Sequence, residues 1–449
     1  MAAVLVAQPS AAQTAARPEA QPRRPAEFVR VRHGAFAIGT EPYYFTGVNF
    51  WFGPYLGAGL VPGDRERLVR ELDHLARLGV RNLRVMAASE GPATEPSRVT
   101  PAFQERPGVY DERLLGGLDV LLAEMAKRDM RAVLVLNNFF QWTGGMAQYV
   151  SWATGDPIPY PERNGNSWDD FQQFSARFYA VDSAQTLFER YLAHVLGRRN
   201  TVTGVAYRDD PTIMSWQLSN EPRGFAHSDA YVRWVDRAGA FVKRHAPNQL
   251  VSLGGEGKLD RGTPNTNTQF ERVSRSPWLD YLTIHLWIEN WGWFDPARPD
   301  ETFNRSVGRS LSYITDHVAI ARILRKPIVL EEFGVSRDRR VYDPAATTQV
   351  RDRFYEMILE AVRYLASEEP HSVVAGANLW SWSGESRPPR PGEYWRVGDP
   401  FTGDPPHERQ GWYAIYAGDT TTLSLLARYA RSMDEIGRAP RPAMPATAP

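Results

Sequence analysis

The sequence predicts a single (β/α)8 TIM barrel, an α/β fold in which eight parallel strands close on themselves inside a ring of helices. Three observations carry that prediction. Short continuous apolar runs recur about eight times, as parallel strands covered on both faces require. Segments with apolar residues at helical spacing separate them. Two of the runs, Trp216-Gln217-Leu218-Ser219-Asn220-Glu221 and Ile328-Val329-Leu330-Glu331-Glu332, lead straight into glutamates 111 residues apart. The carboxyl ends of barrel strands are where such folds place their chemistry. The competing open, doubly wound sheet would need a glycine-rich phosphate fingerprint after its first strand, and none is there.

In chain order, Tyr43 to Asn49 is the first strand. The helix after it carries Leu68, Leu72 and Leu75 at spacings of four and three before Gly79 stops it. Val80 to Met86 is the second strand, and the next helix presents Leu114, Leu118, Leu121 and Met125 on one face. Ala132 to Leu136 is the third strand. A helix over Ala184 to Leu196 precedes the fourth, Ile213 to Leu218. Later strands are expected at Leu250 to Leu253, Tyr281 to Leu286, Ile328 to Glu331 and Val373 to Leu379, with helices at Tyr231 to Arg244, Ser310 to Leu324 and Val350 to Leu365. Long connections at 138–180, 287–308 and 383–418 fall where loops build a substrate groove. The barrel is expected to fill residues 27–435. Residues 1–26 read as a signal remnant or disordered leader, and 436–449 as a Pro/Ala-rich disordered tail.

Lys+Arg and Asp+Glu are both 52, so the formal net charge is zero, which argues against a nucleic acid or an anionic membrane held mainly by charge. The 449 residues contain no cysteine, which excludes disulfides and thiolate metal sites but leaves the redox compartment open. No apolar run approaches the roughly 18 to 20 residues that span a bilayer. The apolar start, Val4-Leu5-Val6, favours a secreted or periplasmic protein. Histidine and carboxylates never fall in a metal-ligand spacing such as H-E-x-x-H, so no metal and no cofactor is expected. Asp399, Asp404 and Glu408 crowd one loop, where calcium is the alternative to plain solvation. The 14 tryptophans include Trp51, Trp142, Trp152, Trp287, Trp291 and Trp293 at predicted strand ends or top loops, where indole faces can stack on sugar rings.

Two carboxyl groups on opposing strands are the minimum apparatus for cutting a glycosidic bond, one as acid and base and the other as nucleophile. Glu331 is the rival of Glu332. Neighbours on a strand point to opposite sides, so only one of them is expected to face the site. Glu256, in Gly254-Gly255-Glu256-Gly257, is placed to bind substrate or to support the site.

Asn220-Glu221-Pro222 after one strand and Glu332-Phe333-Gly334 after another resemble glycoside hydrolase family 5 and its clan of retaining barrel enzymes. Gly144 to Trp152, as GG..QYV.W, and Asn220 to Arg223, as NEPR, are similar to the family's endo-β-1,4-mannanases. His285-Leu286-Trp287-Ile288-Glu289-Asn290-Trp291-Gly292-Trp293 resembles the bacterial members. The resemblance implies a cofactor-free, monomeric endo-mannanase acting on β-mannan, glucomannan or galactomannan. It implies Glu221 as acid/base with a raised pKa, and Glu332 as a nucleophile kept ionised by Arg84. It implies Asn220 on the sugar 2-hydroxyl, His285 beside the acid/base or the sugar, and Trp380 as the floor of the cleavage subsite, with Trp382 a weaker second choice. Arg223 is expected on the leaving-group side. Two departures stand out: the family's His-x-Tyr is His285-x-Trp287 here, and a histidine common after strand three in the clan is replaced within Asn137-Asn138-Phe139. Alternatives are exo action releasing mannose or mannobiose, β-1,4-glucanase activity, and a non-catalytic carbohydrate-binding barrel.

Overall fold

The structure, a computed structural model, describes residues 27–95, 97–161, 163–258, 268–369 and 371–438. The expected leader lies outside these residues, as does the expected tail beyond its first three positions. Eight parallel strands form one sheet: β1 (Phe45–Asn49), β2 (Asn82–Met86), β3 (Arg131–Val135), β4 (Ile213–Gln217), β5 (Leu250–Ser252), β6 (Leu282–Leu286), β7 (Ile328–Phe333) and β8 (Val374–Leu379). Backbone ladders run in the order β5-β4-β3-β2-β1-β8-β7-β6. The remaining seam is joined by individual bonds: Asp280 N donates to Val251 O at 2.9 Å, Thr283 Oγ1 to Gly255 O at 2.9 Å and His285 N to Glu256 O at 3.2 Å. β5 is short because the chain turns at Gly254, where φ is +81° and an added Cβ would lie 1.9 Å from Ser219 O.

Each strand is followed by a helix: α1 (Asp64–Arg77), α2 (Glu112–Ala126), α3 (Asp182–Leu196), α4 (Ser228–His245), α5 (Phe270–Ser274), α6 (Pro299–Leu324), α7 (Gln349–Ser367) and α8 (Thr420–Arg438). The apolar residues expected to face inward on α1 and α2 are buried. Asp111 caps α2 by accepting from Arg113 N and Leu114 N. α6 begins 11 residues before the expected helix and takes the second half of the supposed 287–308 loop, starting on Pro299 with Asp300 and Glu301 in its first turn. α8 runs through the expected barrel boundary at 435 to Arg438.

The inside of the barrel is layered. Phe45, Val133, Met214, Leu250, Tyr281, Val329 and Ala375 make an apolar lower layer, packed with Val29 and Phe36 of an antiparallel hairpin (Val29–Arg32 with Ala35–Ile38). Phe36 meets Tyr281 edge-on with ring centroids 5.1 Å apart, so the hairpin plugs the amino-terminal end of the barrel. Above this layer the interior turns polar at Asn49, Arg84, Gln217, Ser252, Glu331 and Glu332, all buried. Buried polar groups persist where each has a partner, and these bond one another around Arg84 and Gln217.

Outside the barrel, Asp119 ties α2 to the chain that enters β4. Its carboxylate accepts from Arg198 Nε at 3.0 Å, Arg198 Nη2 at 2.8 Å, Thr201 N at 3.1 Å and Tyr207 Oη at 2.6 Å. Burial opposes its charge, but the Arg198 bonds prevail and hold the carboxyl below the ordinary aspartate range. Its contribution is therefore full above the unfolded-state pKa and lost as pH falls through the lower folded value. Asp119→Ala is expected to destabilise the protein by about 3 kcal/mol at pH 7, because it leaves the Arg198 guanidinium with Glu112 alone and the buried Tyr207 hydroxyl without its acceptor. Urea unfolding at pH 7 and pH 3 tests this; an equal deficit at both pH values would refute the ionic origin.

Candidate active site

β4 ends in Leu218-Ser219-Asn220-Glu221, and the turn at Gly254 lets Glu221 N donate to Gly254 O at 2.8 Å. Glu221 holds a left-handed φ of +46°, which a non-glycine residue keeps only when its surroundings fix it. β7 ends in Glu332. Both carboxyl groups are buried, and oxygens of the two, with a nitrogen of His285, lie within 4.8 Å of one another.

Arg84 on β2 binds the site together. It donates to Glu332 Oε1, to Asn49 Oδ1 at 3.2 Å, to Asn220 Oδ1 at 2.8 Å and to Gln217 Oε1 at 2.8 Å. One guanidinium thus fixes groups on β1, β4 and β7. The second hydrogen-bonding end of Asn220 is fixed by Asn138, whose Oδ1 accepts from Asn220 Nδ2 at 3.2 Å. That gives the Asn137-Asn138 departure a role: Asn138 orients Asn220.

His285 Nδ1 lies 2.7 Å from Glu221 Oε1 and 3.3 Å from Glu332 Oε2. Trp287 Nε1 donates to the same Glu221 oxygen at 3.3 Å. The tryptophan in place of the family tyrosine therefore bonds Glu221 and not Glu332, and among the described residues no hydroxyl hydrogen-bonds Glu332. Trp287 meets Trp380 edge-on at 5.8 Å and packs on Tyr413 at 5.0 Å.

The charge distribution in the free site differs from the sequence expectation. Burial, helped by Glu221 and Glu331, pushes Glu332 up to about 7 against the pull of His285 and Arg84. Burial acts on Glu221 too, but the hydrogen bond and charge of His285, with Arg223 and Arg84, hold it below the ordinary glutamate range. Burial favours a neutral His285, yet the Glu332 charge, the hydrogen bond to Glu221 and the nearby Glu331 carboxylate raise it to about 10. The raised carboxyl is therefore Glu332 and not Glu221, the reverse of the sequence expectation, because His285 bonds Glu221 more closely than it does Glu332. His285 Nδ1 and Glu221 Oε1 are 2.7 Å apart, close enough for a proton to pass between them.

Strand alternation predicts that only one of Glu331 and Glu332 faces the site, yet both do: Glu331 lies in phase with the inward Val329, and a bulge brings Glu332 to the same side. The register passes from Ile284 opposite Leu330 to His285 opposite Glu332, leaving Glu331 as an extra residue at a bulge. Glu331 turns into the barrel, where both its oxygens accept from Gln217 Nε2, at 2.9 and 2.7 Å.

Arg223 donates to Glu256 at 2.6 and 3.1 Å, lies 3.9 Å from Glu221 Oε2 and stands 5.1 Å over the Phe140 ring. Glu256 is therefore a support for Arg223, which faces Glu221. Trp51 is covered: its Nε1 donates to Gly403 O at 2.7 Å and its ring meets Trp142 and Phe401 edge-on. It holds a loop in place. Trp382 is fully buried and donates to Glu71 at 3.0 Å, leaving Trp380 as the site tryptophan of that pair.

The calcium alternative is overturned. Asp404 accepts from Gly411 N and Tyr413 N at 2.7 Å each, and Asp399 accepts from Arg396 N at 2.9 Å and from Arg390. Among the described residues the only histidine and carboxylate group close enough to hold an ion is Glu221, His285 and Glu332, where Arg84 already supplies a positive charge.

Sequence reasoning missed what the loop after β8 adds. His407 lies parallel to Trp142 at 6.1 Å and stacks on Phe140 at 6.4 Å. Glu408 is pushed well above the ordinary range by burial and by the charges of Asp404, Glu332 and Glu221, and its Oε2 has no hydrogen-bond partner among the described residues. A histidine and glutamate inside a long top-face loop were the available signal.

Residues 26–438 match the family described as GH family 5 beta-mannosidase-like. A rice protein is 32% identical over 366 residues, covering 79% of this chain and 81% of its own length. Mannan endo-1,4-beta-mannosidase 2 of Arabidopsis thaliana is 30% identical, covering 79% of this chain and 78% of that one. The crystal structure of a glycoside hydrolase family 5 mannosidase from Rhizomucor miehei is similar with a TM-score of 0.84 and 38% identity, over 92% of this chain and 98% of that one. These relatives are plant and fungal, so the finer likeness to bacterial members is not supported. The chain is a glycoside hydrolase with a TIM-barrel fold and belongs to family 5, among its β-mannosidase-like members.

Proposed function

We propose that this enzyme cleaves β-1,4-mannosidic bonds in mannan, glucomannan or galactomannan, acting within the chain and with retention. The observation that carries the mechanism is the close approach of Glu221 and Glu332, within 4.8 Å, at opposing strand ends. Retaining hydrolases hold their carboxyl groups about 5 to 5.5 Å apart, whereas inversion needs room for water and a wider gap. Glu332 attacks the anomeric carbon and Glu221 protonates the departing oxygen. Glu221 then deprotonates a water that releases the sugar from Glu332.

Burial of both groups makes their shared protonation the controlling variable. With one proton in the cluster, moving it from His285 Nδ1 to Glu221 Oε1 produces a neutral acid beside an ionised Glu332 held by Arg84, with no exchange of protons with solvent. Asn220, fixed by Arg84 and Asn138, is placed for the sugar 2-hydroxyl, where a hydrogen bond strengthens as positive charge builds on the ring. Trp380 offers the apolar floor, and Arg223 lines the leaving-group side. A polymer too large to cross a membrane fits a secreted or periplasmic, monomeric enzyme. Among the described residues no helix is long and apolar enough to cross a membrane.

A second reading, exo action, is favoured by the loop at 383–418. It is anchored at Trp51 through Gly403, touches the β3 loop through His407, and reaches the β6 loop where Trp412 Nε1 donates to Glu289 at 3.3 Å. A strap between these loops narrows the groove at one end. Incubation with linear mannan separates the readings: internal cutting drops viscosity before much reducing sugar appears, while terminal cutting releases mannose or mannobiose with viscosity preserved. The first-formed product on a mannooligosaccharide should carry the β-anomer by NMR. An α-anomer would refute double displacement, cleavage of β-glucan alone would refute the mannan assignment, and no cleavage of any glycan would leave only a carbohydrate-binding barrel.

A further inference from the structure

Glu331 is a third buried carboxylate at the active centre, and neither step of the double displacement uses it. Its position is specific. It faces the barrel interior in phase with Val329, the β7 bulge sets Glu332 beside it, and Gln217 Nε2 donates to both its oxygens while Gln217 is itself fixed by Ser252 Oγ at 3.0 Å and by Arg84 Nε at 2.8 Å. Arg84 Nε lies 3.4 Å from Glu331 Oε2, and His285 Nε2 lies 3.8 Å from the same oxygen. The second distance is that of an ion pair and too long for a hydrogen bond. His285 Nε2 is fully enclosed and has no hydrogen-bond partner among the described residues. The imidazole therefore stands between two carboxyl groups, Glu221 on Nδ1 and Glu331 facing Nε2.

We propose that Glu331 is a positioning residue that acts through His285: its negative charge keeps Nε2 protonated, so that the proton on Nδ1 is the one shared with Glu221. This rests on the assignment of Glu221 as acid/base. An imidazole whose far nitrogen faces a carboxylate is held in one tautomer and orientation, the logic by which a buried aspartate orients the histidine of a hydrolytic triad. When Nδ1 gives its proton to Glu221, the neutral ring left behind carries its remaining hydrogen on Nε2. When Glu221 has protonated the leaving oxygen and then taken a proton from water, that proton passes back to Nδ1 without rotation of the ring. Protons balance over the cycle, since one leaves with the aglycone oxygen and one arrives from water.

The charges around His285 agree with this. Glu221 faces it from β4 and Glu331 and Glu332 from β7, against Arg84 from β2 and, farther out, Arg223 beside Glu256. Three carboxyl groups against one nearby guanidinium leave net negative surroundings that favour the imidazolium, in line with its raised pKa. Glu331 is the member that can be neutralised without touching sugar.

The test is the pH profile of kcat/KM for Glu331→Gln and Glu331→Asp in the full chain. Glu331→Gln removes a negative charge beside His285 and Glu332, so both limits of the bell should move to lower pH, the alkaline one by about one unit. Glu331→Asp should return the alkaline limit towards the parent value even if the maximum rate stays low. A Glu331→Gln enzyme that is slower but has the parent's pH limits overturns the proposal. The parent's ring can also be read directly by ¹⁵N NMR of histidine-labelled protein, which requires no turnover and no variant. His285 should carry hydrogen on Nε2 from pH 5 to 9; a ring with bare Nε2 at pH 7 overturns the proposal. Absence of glycosidase activity in the parent would instead overturn the functional assignment and leave the ring measurement valid.

Discussion

Glu332→Ala is expected to lower turnover of mannan on the order of 10⁴-fold or more, with sugar binding retained. The reason is covalent. Without the carboxylate no other carboxyl group is free to act as the nucleophile, because Glu331 is held by Gln217 and Glu221 by His285. The variant should fold, since Arg84 keeps Glu331, Asn49, Asn220 and Gln217 as partners, and removal of one crowded carboxylate relieves repulsion. Two measurements fix the assignment. A 2-fluoro mannosyl label on the parent should map to Glu332 by mass spectrometry, and azide should restore cleavage of an activated mannoside by the variant with inverted product. Label on Glu331, or unchanged turnover in Glu332→Ala, would relocate the nucleophile.

The barrel was legible because buried parallel strands and amphipathic helices differ in hydrophobic period, and strand starts and ends fell within about two residues of expectation. α5 escaped notice because five residues are too few to establish a period, and α6 was begun late because its first three turns pass over a polar, tryptophan-flanked stretch that looked like loop. At the site, Glu221, Glu332, Arg84, Asn220, His285 and Trp380 converge as their motifs implied. The residues that were misread are those whose direction depends on irregular backbone. Alternation let only one of Glu331 and Glu332 face the site, and a bulge brings both in. Trp51 was placed at a strand end with the groove in view, and a loop arriving from residues 383–418 covered it. Glu256, which the sequence leaves open between substrate binding and support, bonds Arg223 at 2.6 Å as a support. Long-range loop packing has no period in the sequence, so His407 and Glu408 could not be joined to the centre before the fold was known.

Arg84→Met should be the most damaging change to the barrel interior that leaves both catalytic glutamates in place. The guanidinium is the only positive group bonded to Glu332 among the described residues apart from His285, and it also orients Asn220, Asn49 and Gln217. Methionine keeps the stem's volume and removes every one of those bonds. Breaking a buried pair from one side strands the remaining charge, and the expected loss is about 3 to 5 kcal/mol at pH 7. The sign of its pH dependence follows from Glu332. Its carboxyl is already raised to about 7 in the folded protein, and losing Arg84 raises it further. Between the unfolded and folded pKa values the folded state then binds more protons than the unfolded one, so stability falls as pH rises through that window. Arg84→Met should therefore recover part of its deficit at pH 5, where Glu332 takes up its proton, while turnover stays down by about 10² to 10³ because the protonated group is no nucleophile and Asn220 has lost its anchor. Urea unfolding of parent and variant at pH 5 and pH 7 measures the difference directly. A deficit of the same size at both pH values would mean that Arg84 contributes packing rather than charge, and that Glu332 is kept ionised by His285 alone.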